Sequence, residues 1–235
     1  MRGRLFFVLV GALILPALLA ACGGGKKADT TTTAVSTTTT DATATTAAAG
    51  KKNGCVTVAA PTSLKPRKGK KPAVQLPKNR VYDVTMITNC GSFTIRMDQA
   101  QSPNAATSFV SLAQHGYFDR TIFHRIVPGF VIQGGDPTAT GTGGPGYSTV
   151  DTPPKNASYT HGVVAMAKTA TEPAGTAGSQ FFIVTVTNAG LPPDYAIIGK
   201  VVKGLSVVDH IGTLGDASQQ PTQVVEIRRA AVEVH

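Results

Sequence analysis

The chain has 235 residues, 42% of them hydrophobic and only 15% charged, enough for one or two domains with a buried core. Its net charge of +9 is unevenly placed: residues 1–80 hold 13 Lys/Arg against 2 Asp/Glu, whereas residues 81–235 hold 9 against 11. The part of the chain able to fold therefore lacks the basic stripe of a nucleic-acid-binding surface, and nucleic acid is excluded as a partner.

At the N-terminus, Arg2 and Arg4 precede a continuous apolar run over residues 5–21, LFFVLVGALILPALLAA. A run of this length is at the short limit for crossing about 30 Å of hydrocarbon. The small residues at its end favour a cleaved signal peptide spanning residues 1–21. The segment Leu19-Ala20-Ala21-Cys22 resembles a bacterial lipobox. That resemblance implies a diacylglycerol on Cys22 and an exported protein anchored by lipid on the extracytoplasmic face of a cell membrane. An ordinary cleaved signal and an uncleaved anchor helix are the alternatives.

Residues 22–80 read as a flexible, basic linker. The stretch ADTTTTAVSTTTTDATATTAAAG has no aromatic residue and cannot bury enough surface to offset its ordering entropy. Residues 61–80, punctuated by proline, carry seven Lys/Arg and read as solvated chain near an anionic surface. With Cys22 taken by lipid, Cys55 and Cys90 remain. An exported compartment permits a disulfide between them, closing a loop of about 35 residues; two free thiols are the alternative.

From residue 81 to 235 the pattern is that of one domain. VYDVTMIT and GSFTIRM alternate and flank a tight turn, which predicts a hairpin. Ser102 and Pro103 open a helix whose apolar stripe runs through Ala105, Ala106, Phe109, Val110, Leu112 and Ala113 and which stops at Gly116. Short strands follow at 121–126, 129–134, 162–167, 180–186 and 196–202. A second helix is expected over 204–212 and a last strand over about 222–233. The fold class is mainly β: a closed eight-stranded antiparallel barrel capped by two helices.

The usual chemical signatures are missing. None of the five histidines stands at metal-ligand spacing and no CxxC occurs, so neither a metal nor another cofactor is expected. No G-x-S-x-G elbow supports a serine triad. GTGGPG at 141–146 matches a dinucleotide fingerprint in letters alone, because Pro145 and the surrounding glycines describe a loop rather than the start of a helix. What remains is FHRIVPGFVIQGGD, residues 123–136, where Arg125 and Gln133 sit among Phe130 and other large apolar groups. Such a surface has no nucleophile and no base. It suits a reaction that moves no protons, rotation about an X–Pro bond, whose barrier of about 18–20 kcal/mol comes from amide resonance. A guanidinium N–H aimed at the prolyl nitrogen would favour the rotated, pyramidal form.

These residues closely resemble the cyclophilin-type peptidyl-prolyl isomerases. The resemblance rests on FHRIVPGFVIQGGD, ATGTGGPGY at 139–147, GVVAMA at 162–167, GSQFFI at 178–183 and AIIGKVVKG at 196–204, in that order. It implies that Arg125 is catalytic and supported by Gln133. It also implies that Phe130, Phe182 and Leu191 form the proline pocket with Val131 at its edge and Tyr195 on its wall. Ala167 and Gln180 would line the groove for residues before the proline, and His124 would be structural. The substrates would be proline-containing polypeptides and the protein a monomer. Three departures stand out: Gly190 where many members carry tryptophan, Tyr195 where they carry histidine, and Lys168 where the groove motif carries asparagine. The first points to weak binding of cyclosporin and the last to a shifted substrate preference. A proline-recognition or chaperone module with incidental activity is the rival reading.

Overall fold

The computed structural model describes residues 51–235 apart from 53, 62 and 63. The signal peptide, Cys22 and the tether through residue 50 lie outside the described residues. The hairpin forms as its alternation requires, from β1 (Tyr82–Thr88) and β2 (Gly91–Met97), with Asp83 opposite Arg96 and Thr88 opposite Gly91. Across that pair Arg96 donates twice to the Asp83 carboxylate, at 3.0 and 2.9 Å, and holds that carboxyl below its ordinary pKa. Helix α1 (Pro103–Gln114) follows. Ser102 occupies its N-cap, yet the hydroxyl makes no capping bond. The Asp151 carboxylate does that work from another segment, accepting from the N–H of Ala105 at 2.6 Å and of Asn104 at 3.3 Å. Gly116, at φ +66°, ends the helix in the left-handed conformation that glycine adopts without strain.

Apart from two-residue strands at Lys51–Lys52, Cys55–Val56, Thr149–Val150 and Thr176–Ala177, which make two separate small pairs, the remaining strands are β3 (Thr121–Ile122), β4 (Arg125–Val127), β5 (Val131–Gly134), β6 (Val163–Met166), β7 (Phe181–Val184), β8 (Ile197–Lys203) and, after helix α2 (Leu205–Gly212), β9 (Glu226–Val234). With β1 and β2 they form one antiparallel sheet in the order β3-β9-β1-β2-β8-β6-β7-β5-β4. This corrects the expected closed barrel of eight strands: the sheet has nine, curled, with β3 and β4 as separate edges. The continuous strand expected over 121–126 is broken at Phe123 and His124. There the chain leaves its place beside β9 and crosses to pair with β5. Phe123 donates its N–H to Val225 O and Ile126 to Gln219 O, so the backbone between the edges is satisfied by neighbouring loops rather than by a ladder.

Alternation along the strands gives the sheet two apolar faces. Phe181, Ile183, Ile132, Val164 and Met166 join α1, α2 and the hairpin in the main core. Val131, Phe182, Val184, Ala165 and Val163 face the other way, into a smaller cluster built around the fully buried Tyr159. No helix among the described residues is long and apolar enough to cross a membrane.

The segment read as solvated linker behaves otherwise. Residues 64–80 lie along α1: Arg67 Nη1 donates to Tyr117 O at 2.6 Å and to Asp119 O at 2.7 Å, and Leu76 N–H donates to Thr107 Oγ1 at 3.0 Å. Arg67 and Lys71 have acceptors that are backbone carbonyls rather than carboxylates, so a count of charges does not reveal them. Upstream, Cys55 is bonded to Cys90 in the β1–β2 turn, and Val56 and Asn89 exchange hydrogen bonds beside it. Closing 35 residues removes about 4 kcal/mol of unfolded-state entropy in the chain model. Cys55→Ser with Cys90→Ser should lower the unfolding free energy by about 2–4 kcal/mol in urea titration; an unchanged midpoint would mean that the bond constrains nothing.

Candidate active site

The site lies on the outer face of β4, β5 and β7. Register decides its membership. Arg125 stands opposite Gln133, and Gln133 opposite Phe182, so three side chains from three adjacent strands share one face. The guanidinium is held from two sides. Its Nε donates to Gln219 Oε1 at 2.8 Å and its Nη1 to Gln133 Oε1 at 3.2 Å. Two of its five N–H groups are used this way. Gln133 passes the chain on, donating from Nε2 to Gln180 Oε1 at 3.1 Å. Gln180 in turn donates to the carbonyls of Gly141 and Gly143, each at 2.9 Å.

Beside Arg125 is an apolar cavity of about 220 Å³ walled by Phe130, Val131, Phe182, Leu191, Ala167 and Tyr195. It is smaller than the roughly 300–1,000 Å³ of ordinary ligand clefts, so it admits one small ring. Phe182 and Tyr195 meet edge to face, their ring centres 5.4 Å apart at 88°. Tyr195 is fixed from behind by Tyr159, whose hydroxyl donates to Tyr195 O at 2.8 Å and accepts from Tyr195 N–H at 2.9 Å. Burial raises the pKa of Tyr159, which keeps that hydroxyl neutral and able to do both. Lys168 enters the wall with its side chain only 3% exposed, paired with Asp194 at 2.6 Å and lying 5.7 Å from the centre of the Tyr195 ring. Gly190, at φ +63°, has open space where a Cβ would project. All the residues expected at the site thus fall in one place, with Ala167 and Gln180 continuing from the cavity into an adjoining groove of about 600 Å³.

Three contributors escaped the sequence reading. Gln219 belongs to a turn folded on the Asp216 carboxylate and has φ +65°; nothing in its neighbourhood marks it. Tyr159 acts through a backbone 36 residues away. Asp136 had a readable signal, an aspartate followed by Pro-Thr-x-Thr-Gly-x-Gly, the composition of turns wound on a carboxylate. It is fully buried and accepts from the N–H groups of Thr138, Thr140, Gly141 and Gly143 at 2.7, 3.1, 2.8 and 3.0 Å, and from Thr138 Oγ1 at 2.7 Å. A Cβ at Gly143 would collide with that carboxylate. The GTGGPG loop is therefore spent on an internal anion, and its Gly141 and Gly143 donors are not available to a phosphate. His124 is buried, both ring nitrogens without a partner among the described residues, and burial pushes its pKa down so that it stays neutral.

Comparison with known proteins agrees with this geometry. Residues 83–232 match the family model of the cyclophilin type peptidyl-prolyl cis-trans isomerases. A peptidyl-prolyl cis-trans isomerase of Arabidopsis thaliana is 36% identical over 161 residues, 66% of this chain and 96% of its own length. A peptidyl-prolyl cis-trans isomerase-like 1 of Aspergillus niger is 37% identical over 155 residues, 64% of this chain and 94% of its own. A crystal structure of a cyclophilin type isomerase from Cryptosporidium parvum superposes with a TM-score of 0.61 at 33% identity, covering 65% of this chain and 98% of that one. A second, determined in the presence of the dipeptide Ala-Pro, gives 0.60 at 34%, covering 64% and 98%.

Burial alone would raise the pKa of Asp136, but the hydrogen bonds from Thr138, Gly143 and Gly141 outweigh it and hold the carboxyl below its ordinary 3.8. The folded chain then binds fewer protons here than the unfolded one. The stabilisation is complete above the unfolded value of about 3.9 and is lost as the pH falls through the folded one. NMR titration should place the Asp136 carboxyl below 3.8, and Asp136→Ala should cost about 3 kcal/mol of stability at pH 7. An unshifted titration would remove the cage as organiser of the loop.

Proposed function

Because the chain belongs to the cyclophilin-type peptidyl-prolyl cis-trans isomerases and is an isomerase of that kind, we propose that it turns X–Pro bonds in the 220 Å³ cavity beside Arg125. One observation carries the assignment: a guanidinium fixed by two glutamine oxygens at the mouth of an apolar cavity sized for a single ring. The prolyl ring seats against Phe130, Phe182 and Leu191 and is held while the preceding carbonyl rotates. As conjugation breaks, the prolyl nitrogen becomes pyramidal and its lone pair, shared with the carbonyl in the planar amide, localises on it. A remaining Arg125 N–H donates to it, an interaction that the planar ground state cannot use. Gln133 and Gln219 orient the guanidinium without cancelling its charge. No covalent bond forms or breaks and no proton is transferred.

The substrates are proline-containing polypeptides, with the residues before the proline lying in the groove of Ala167 and Gln180. The protein works outside the cytoplasm, held by lipid on Cys22, and speeds the folding of exported proteins past steps that take tens of seconds unaided. The apolar run 5–21, the segment LAAC and the Cys55–Cys90 bond, which suits an oxidising compartment, support this setting.

Exchange between cis and trans proline signals of a short Ala-Pro peptide tests the chemistry. Arg125→Ala should slow catalysed exchange by tenfold or more, at least about 1.4 kcal/mol of barrier lowering. Arg125→Lys should recover little of it, lacking the planar fork. Wild-type rates in the alanine variant would take the chemistry away from Arg125. For the setting, mass spectrometry of the protein from the membrane fraction should find Cys22 as the N-terminal residue carrying a diacylglycerol; an unmodified Cys22 would exclude lipid there as the anchor.

A further inference from the structure

The segment 64–80 precedes the span matched by the family model, which begins at residue 83, so it is an addition to the shared domain. It is seated on the loop that walls the substrate groove. Gly69 donates its N–H to Pro145 O at 2.9 Å, and Lys71 Nζ donates to Ser148 O at 3.0 Å. The fit at Gly69 is close: a Cβ there would stand 2.6 Å from Leu112 Cδ2, 3.1 Å from Pro145 Cβ and 3.3 Å from a ring carbon of Tyr147. Arg67, two residues earlier, locks the segment to the turn after α1 through the carbonyls of Tyr117 and Asp119.

The loop 141–148 has two halves, held by different means. Residues 141–143 are fastened by the Asp136 carboxylate and by Gln180. Residues 144–148 have no such carboxylate. Gly144 and Gly146 have open space around them, and Gly146 is at φ +84°. Apart from a 2.9 Å bond between Tyr147 and Ser108, the hydrogen bonds of this half among the described residues are those to Gly69 and Lys71, and the chain just beyond it pairs at Thr149–Val150 with Thr176–Ala177. The same half faces Ala167, Lys168 and Gln180 across the groove.

We propose that residues 64–80 form a positioning strap, with Arg67, Gly69 and Lys71 holding the outer half of the groove wall and so setting affinity for the residues that precede the proline. The strap does not touch Arg125 or the proline cavity, so it acts on the binding of long substrates and leaves the rotation step alone. This rests on the reading of the cavity as the site of isomerisation.

The full chain in detergent, with Gly69→Val and, as a milder change, Arg67→Ala, separates the two ideas. Two peptides are used: a short Ala-Pro peptide that fills only the cavity, and one extended by four residues before the Ala-Pro. Affinity is read by NMR titration, catalysis by proline exchange, and docking of the strap by amide hydrogen exchange. The proposal expects both variants to bind the extended peptide three- to tenfold more weakly. Exchange of the short peptide should stay within twofold of wild type, and backbone NMR order parameters should fall at 146–148. Unchanged affinity for the extended peptide, with protection lost at 66–76, would overturn it; so would equal losses for both peptides, which mean a general loosening. Failure of the wild type to speed the short peptide would sink the cavity reading instead, while the affinities still decide the strap.

Discussion

A guanidinium beside an apolar cavity has to be held without being neutralised. A carboxylate partner would orient it and cancel the charge that the proposed rotation step draws on. Here the partners are amide oxygens, Gln133 on one side and Gln219 on the other. Each amide has a second end that needs its own partner in a partly buried place. From Gln133 this requirement runs to Gln180 and on to Gly141 and Gly143, whose N–H groups return to Asp136. The carboxylate that the site needs is thus placed at the far end of the chain of bonds, inside a loop. There it shapes the groove and stays clear of the arginine.

The sheet makes this possible by being apolar on both faces. Strands β5 and β7 each send alternate residues into the main core and into the outer cluster. The core side fixes register; the outer side inherits that register and presents Gln133 and Phe182 as neighbours. A slip of one residue would bury Gln133 and turn Ile132 into the groove.

Much of this was legible in the sequence because it depends on local period. The hairpin, both helices and the strands around Phe182 and Ile198 follow from alternation and punctuation, and the motif order placed Arg125, Phe130 and Leu191 together. What was not legible depends on contacts between distant segments. Phe123 and His124 look like the middle of a strand by composition; only the need to pass from one sheet edge to the other breaks the run there. Gln219 and Tyr159 work through partners 94 and 36 residues away. Residues 64–80 looked solvated because their charges were counted, whereas the acceptors of Arg67 and Lys71 are main-chain carbonyls that carry no mark in the sequence.

The bond between Cys55 and Cys90 also sets where force enters the domain. A pull on the chain ahead of Cys55 passes through sulfur directly to the β1–β2 turn. The segment between the two cysteines, with Arg67, Gly69 and Lys71 inside it, lies in a covalently closed loop and bears none of the tension. Hydrogen bonds that would peel apart one by one under load are therefore mechanically shielded, and the load passes from Cys90 into β2 and its antiparallel pairing with β1 and β8. Tension on the residues ahead of Cys55 therefore reaches the domain without passing through the groove wall.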